Sequence, residues 1–262
     1  MTRTPALILV VGGMLGTTIL FAGCGSGNGH GTSGATSGST PPPTPPPPSS
    51  TAPAYRPHID PSRFTDHVTN RYLPMRPGTT LVYEGTRDGR PQRDEVVVTG
   101  EARTIMGVRC VVLRDTVTSN GALVEKTTDW YAQSTDGDVW YFGEATAEYA
   151  NGNVTSTKGS WEAGVDAAQP GIVMKSHPKP GDSYRQEYRP GVAEDMARVL
   201  RIHQSANVPA GRFSDTVVTN DTDPLNPDKS DHKSYAPGVG LVHAERVRTG
   251  HHEQISLVER RG

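Results

Sequence analysis

From about His58 to Gly262 the chain is a series of short runs rich in Val, Thr, Tyr and Trp, each ended by Gly, Pro, Asn or Asp. Turn signals at intervals of about 8 to 12 residues leave no length for ordinary helices and select antiparallel strands. The runs predict strands at Thr79 to Glu84, Asp94 to Gly100, Arg109 to Thr118, Leu123 to Gln133, Asp138 to Gly143, Val154 to Trp161, Ser183 to Tyr188, Met196 to Gln204, Arg212 to Thr219, Gly240 to Val247 and Gln254 to Val258. Ser134-Thr135-Asp136-Gly137 predicts a hairpin turn, because Gly137 can take the positive φ that such turns need. Short helical turns are expected only near Pro61 to Val68 and Glu162 to Ala168.

The runs also repeat. Pro77-Gly78 returns as Pro180-Gly181 (181 − 78 = 103), Gly107 as Gly211 (211 − 107 = 104) and Tyr131-Ala132 as Tyr235-Ala236 (235 − 131 = 104). Two similar meanders, about 70–160 and 170–262, are each too small to bury a core well. The expected fold is therefore all-β, a long curved antiparallel sheet forming a half-barrel or open barrel, as one domain over 58–262.

The N-terminus is of another kind. Arg3 supplies a basic start, Ala6 to Gly23 is a charge-free apolar run, and the run ends at Leu20-Phe21-Ala22-Gly23-Cys24. This layout resembles the signal peptide and lipobox of bacterial lipoproteins, with Phe21 where leucine is usual. The resemblance implies that residues 1–23 are removed and that Cys24 becomes the acylated N-terminus, anchoring the protein to the cell membrane facing outward. Residues 25–57 hold almost no apolar side chains and include the proline block PPPTPPPP, so they read as a tether that is part flexible coil and part polyproline II rod.

Composition narrows the function. With 26 Lys and Arg against 28 Asp and Glu, the chain has no basic footprint for nucleic acid. Once Cys24 is acylated, Cys110 has no disulfide partner and, among Val108, Val111, Val112 and Leu113, reads as a small buried hydrophobe.

A tethered antiparallel meander of this kind resembles, over about residues 70–262, the half-barrel envelope proteins of the LolA, LolB and LppX type, which carry lipid or acyl chains in a curved sheet. The segments DWYAQ, DVWYFGE, GSWEAGVDAAQPGIVM and PGDSYRQEY are similar to those of a family of secreted bacterial proteins. That likeness implies a single domain and brings no activity with it.

None of the nine histidines makes HExxH or a paired-ligand spacing, so no metal or cofactor is expected. GxSxG is absent, and Ser160 beside Trp161 reads as a strand end. Glu162, Asp166, Glu187, Glu194 and Asp195 gather in the centre of the chain, where paired acids could serve a hydrolase or simply pair with Arg185, Arg189 and Arg198. Asn220 to Asp231 is acidic and reads as a polar hairpin loop. All three tryptophans lie in one stretch with Tyr131, Tyr141, Phe142 and Tyr149. Both faces of that hairpin are apolar, so one packs as core and the other could line a cavity. The expected role is an envelope binding or carrier protein with no catalytic residues. It would hold a hydrophobic ligand or an envelope protein through Trp130, Trp140, Phe142, Trp161, Met174, Tyr184 and Tyr188. The alternatives are a hydrolase using the central acids and a structural lipoprotein.

Overall fold

The computed structural model describes residues 55–247 and 253–262. The signal segment, Cys24, most of the tether and the pair His251-His252 lie outside them. After one 3-10 turn (Pro61–Arg63), sixteen strands follow: β1 Phe64–Thr65, β2 Thr80–Arg87, β3 Arg90–Ile105, β4 Val108–Ser119, β5 Ala122–Ser134, β6 Val139–Ala150, β7 Asn153–Ser156, β8 Trp161–Glu162, β9 Gln169–Met174, β10 Ser183–Arg185, β11 Glu187–Tyr188, β12 Met196–Val208, β13 Gly211–Asp223, β14 Asn226–Ala236, β15 Gly240–Arg246 and β16 Glu253–Arg261. The all-β, curved antiparallel architecture expected from the runs is what forms: thirteen strands make one path, β10-β12-β13-β14-β15-β16-β2-β3-β4-β5-β6-β9-β11, in a nearly closed barrel.

Closure depends on the segment from Ser183 to Tyr188. Its first half pairs with β12 (Tyr184↔Ala197) and its second with β9 (Glu187↔Pro170), so six residues carry both ends of the path. β9 approaches this segment so closely that a Cβ on Gly171 would sit 2.4 Å from the backbone carbonyl of Gln186. Only glycine tolerates that contact.

Along each strand the side chains alternate between faces. Tyr83 projects inward from β2 and donates its hydroxyl hydrogen to the Leu241 carbonyl on β15, at 2.9 Å. In residues 66–78 a Val68↔Met75 bridge closes a small loop that packs Val68, Leu73 and Met75 against the core. Buried Asn70 shapes that loop: its Oδ1 accepts from the backbone N–H groups of Tyr72 (2.9 Å) and Leu73 (3.1 Å), while its Nδ2 donates to the Gly137 carbonyl at 2.9 Å. Leu73 and Met75 are thereby held in the core.

Two sequence expectations are corrected. Asn220 to Asp231 is not a polar loop: it is the hairpin of β13 and β14, with Asp221, Asp223 and Asp231 buried. Glu162 to Ala168 is not a helical turn either; β8 and tight turns occupy it. The Ser134 to Gly137 turn forms as expected, with Ser134 N–H donating to Asp138 O at 2.9 Å and Gly137 at φ 88°.

Because the Gly171 contact is with backbone that cannot rotate away, Gly171→Ala should cost about 3 kcal/mol, the upper end for overpacking. Urea unfolding of the two proteins measures this, and an unchanged midpoint would mean that the ends of the sheet are not held together at this point.

Candidate functional site

The interior of the barrel is charged, and the two meanders handle that charge differently. In the second meander every inward base meets an acid. Lys229 pairs with Asp195, Lys233 with Asp221 at 2.9 Å, and Arg246 with Asp231 at 2.9 Å and Glu253 at 2.8 Å, while Arg87 of β2 adds a contact to Glu253 at 3.4 Å. Buried charges of this kind are tolerated because they are matched.

The first meander buries Asp94 on β3, Asp115 on β4, Glu125 and Asp129 on β5 and Glu144 on β6; Glu187 of β11 lies beside them. Among the described residues no cation pairs with any of the six. Hydroxyls and an indole serve instead. Tyr141 donates to Asp129 at 2.7 Å and Trp161 Nε1 to Glu187 at 2.9 Å; Glu125 accepts from Thr127 at 3.1 Å and from Thr146 at 3.3 Å. Asp94 and Asp115 lie against each other. Their registers, Asp94↔Val117 and Val96↔Asp115, make them diagonal neighbours, and among the described residues none of their four carboxyl oxygens accepts from a side chain outside the pair. The Thr116 backbone N–H is the one donor that eases the charge on Asp115. A hydrogen bond between two carboxyls requires a proton on one of them.

Burial foremost, and then the field of the neighbouring acids, pushes these groups up: Asp94 to about 7, Glu125 to about 8, and Asp115, Asp129, Glu144 and Glu187 well above the usual carboxylate range.

Beside this cluster lies a partly open cavity of about 40 Å³. Apolar side chains form most of its wall, among them Leu73, Met75, Val98, Leu113 and Leu241, and the half-buried Pro74, Leu81, Val96 and Val239 mark its mouth. Its polar lining is made by Tyr83, Asp115, Asp129 and Tyr131, and the Tyr131 hydroxyl makes no hydrogen bond among the described residues. The hollow is therefore mostly apolar, with carboxyl and hydroxyl groups in one part of its lining.

A second, open groove of about 330 Å³ is lined by Arg103, Trp130, Ser160, Trp161, Glu162, Asp166 and Arg189, among others. Glu162 is paired with Arg103 at 2.5 Å and Asp166 with Arg189 at 2.8 Å, and the Arg103 guanidinium lies 4.3 Å from the Trp130 ring centroid. Asp166 and Ala167 both hold left-handed φ values, 49° and 62°, which marks the loop as strained.

The residues named from sequence are dispersed. Trp130 and Trp161 line the groove. Trp140 and Phe142 lie on the strand face opposite Tyr141, each edge-on to Phe64 of β1, at 5.9 and 5.6 Å between ring centroids. Met174 and Tyr184 are buried, and half-buried Tyr188 packs under the Arg185 guanidinium, 4.6 Å from the ring centroid. None of the seven lines the 40 Å³ cavity. The central acids also separate: Glu194 lies 3.7 Å from Arg185, whereas Glu187 and Asp195 point into the barrel. Cys110 is buried, and burial pushes its thiol up. Sequence reasoning missed Asp94 and Asp115. Their only trace is an acid at alternate positions in runs that otherwise place apolar residues on that face.

No protein-family model matches the chain, and no curated protein does. Two solved structures are similar at low level. One, described as a "putative exported protein with YmcC-like fold" from Bacteroides fragilis, is 15% identical with a TM-score of 0.44, covering 74% of this chain and 100% of its own. The other, a "putative lipoprotein" from Parabacteroides distasonis, is 15% identical with a TM-score of 0.41, covering 73% and 99%.

The raised carboxyls fix a pH dependence. The folded chain holds protons that the unfolded chain releases near pH 4. The stability they contribute is complete below that point and is lost as pH climbs through about 7 for Asp94 and about 8 for Glu125. Calorimetry should give a melting temperature lower at pH 8.5 than at pH 5.5, by on the order of 5 °C or more. Glu125→Gln, which keeps the shape without the titration, should flatten that slope.

Proposed function

We propose that this is an exported lipoprotein, anchored through Cys24, whose barrel is a non-enzymatic binding domain for a small amphipathic ligand. The observation that carries the binding role is the mostly apolar cavity beside β2–β5, whose lining includes the buried Asp115 carboxyl and Tyr131 hydroxyl, neither of them hydrogen-bonded among the described residues to a side chain outside the acid cluster. A soluble protein leaves few such groups unpaired, and those it does leave commonly face a water or a ligand. Pre-formed, mostly apolar hollows with a few convergent polar groups are what small-molecule sites look like. The volume suits a small head group and short chain rather than a long acyl chain, which favours a sensor or binding role over bulk lipid carriage. Export and anchoring rest on the Arg3, Ala6 to Gly23 and Cys24 layout, and the proline-rich tether would hold the domain clear of the membrane.

Two measurements test the reading. Cys24→Ala should leave the precursor uncleaved and free of label from radioactive palmitate in growing bacteria; labelled, mature Cys24→Ala protein would disprove the anchor. Six-carbon probes of different head group should raise the melting temperature of the mature protein, and Leu113→Trp, which fills the cavity, should abolish the shift. A shift that survives Leu113→Trp would place binding elsewhere.

A further inference from the structure

The two meanders can be compared position by position. With the spacing of 104 that relates Tyr131 to Tyr235, Glu125 corresponds to Lys229 (229 − 125 = 104) and Asp129 to Lys233 (233 − 129 = 104). All four are buried on the inner face. In the second meander these lysines neutralise Asp195 and Asp221. In the first meander the same positions carry acids, so the cation that the fold supplies on one side is missing on the other. The missing charge falls beside the Asp94–Asp115 pair, to which no other side chain among the described residues donates, and Asp115 lines the cavity.

We infer that the ligand of this cavity is a primary amine: its ammonium group bridges Asp94 and Asp115, and its apolar chain runs along Leu73, Leu113 and Leu241 toward the mouth. This rests on the binding role proposed above and names the ligand class for the same site. An ammonium offers three donors, which suits a pair of carboxyls and the nearby Tyr131 hydroxyl, itself without a partner. A partly open cavity of about 40 Å³ has room for a compact ammonium head group, with the chain leaving through its mouth. Charge balance requires one further event. The pair binds the cation with both carboxyls ionised, so the proton it shares is released to solvent as the ammonium enters.

That proton sets a pH dependence with a defined direction. The groups facing the pair are Tyr83 from β2 and Glu125, Asp129 and Tyr131 from β5, with Tyr235 of β14 facing Tyr83 and Tyr131 and with Arg93 on β3 acting at longer range. Burial holds Asp94 up at about 7. Binding should therefore tighten between pH 6 and pH 8, a range in which an alkylamine stays protonated, since amines of the lysine type lose their proton near 10.4.

The experiment uses the mature chain, residues 24–262, in lipid nanodiscs, with empty discs as the blank. Hexylamine, hexanol and hexanoic acid are titrated separately at pH 8 and pH 6 and followed by melting temperature and calorimetry. Hexylamine should bind at least about tenfold more tightly than hexanol, should gain affinity at pH 8 over pH 6 and should release a proton, read as a dependence of the heat on the buffer. Asp115→Asn and, separately, Asp94→Asn should each remove the tenfold preference while hexanol still binds, which also shows that the variants are folded. Equal binding of hexylamine and hexanol, or a preference for hexanoic acid, overturns the amine and leaves the amphipathic site standing. If none of the three binds, both readings fall.

Discussion

The structure depends on one closure. Because the segment from Ser183 to Tyr188 pairs with β12 on one side and β9 on the other, the sheet acquires an inside that water reaches poorly. An open sheet of the same strands would leave its inward acids solvated and would make no demand on them. Once the ends meet, each inward polar group must be matched by a partner, a proton or a guest.

The two meanders meet that demand by different means. The second matches acids with bases, so its interior is an ion-pair lattice from Asp195 to Glu253. The first matches acids with protons and with the hydroxyls of Tyr141, Thr127 and Thr146. Protons come and go with pH and can be displaced by a cation, whereas lysines cannot leave. The charge balance of the second half is thus fixed, whereas that of the half held by protons responds to pH. The cavity lies on that responsive side, under a loop shaped by Asn70 rather than by a strand of the barrel.

Most strands were legible because runs of β-branched and aromatic residues bounded by turn residues mark them, as Arg109 to Thr118 and Leu123 to Gln133 do. Strand β14 was not, since its inward residues are Lys229, Asp231, Lys233 and Tyr235. A charged core inverts the rule that inward means apolar, so NPDKSDHKSYA looks like a loop until its partners are known. The aromatic stretch misled in the opposite sense. Trp140 and Phe142 announce a large apolar surface, but Phe64, more than seventy residues earlier in the chain, covers them.

By itself the sequence determined that the chain would be antiparallel sheet, that its two halves would be similar meanders and that they would share one sheet, because turn residues and alternation act locally and leave few other ways to bury the apolar faces. It also carries the charge reversal between Glu125 and Lys229 as a bare fact. Only the tertiary structure decided where that reversal matters. Asp94 and Asp115 are twenty-one residues apart in the chain and become neighbours through strand register, and Tyr131 joins them through the next strand. Whether an acid is a solvated surface group or a buried one in need of a counter-charge depends on closure of the barrel around it, and closure is set by contacts between residues far apart in sequence.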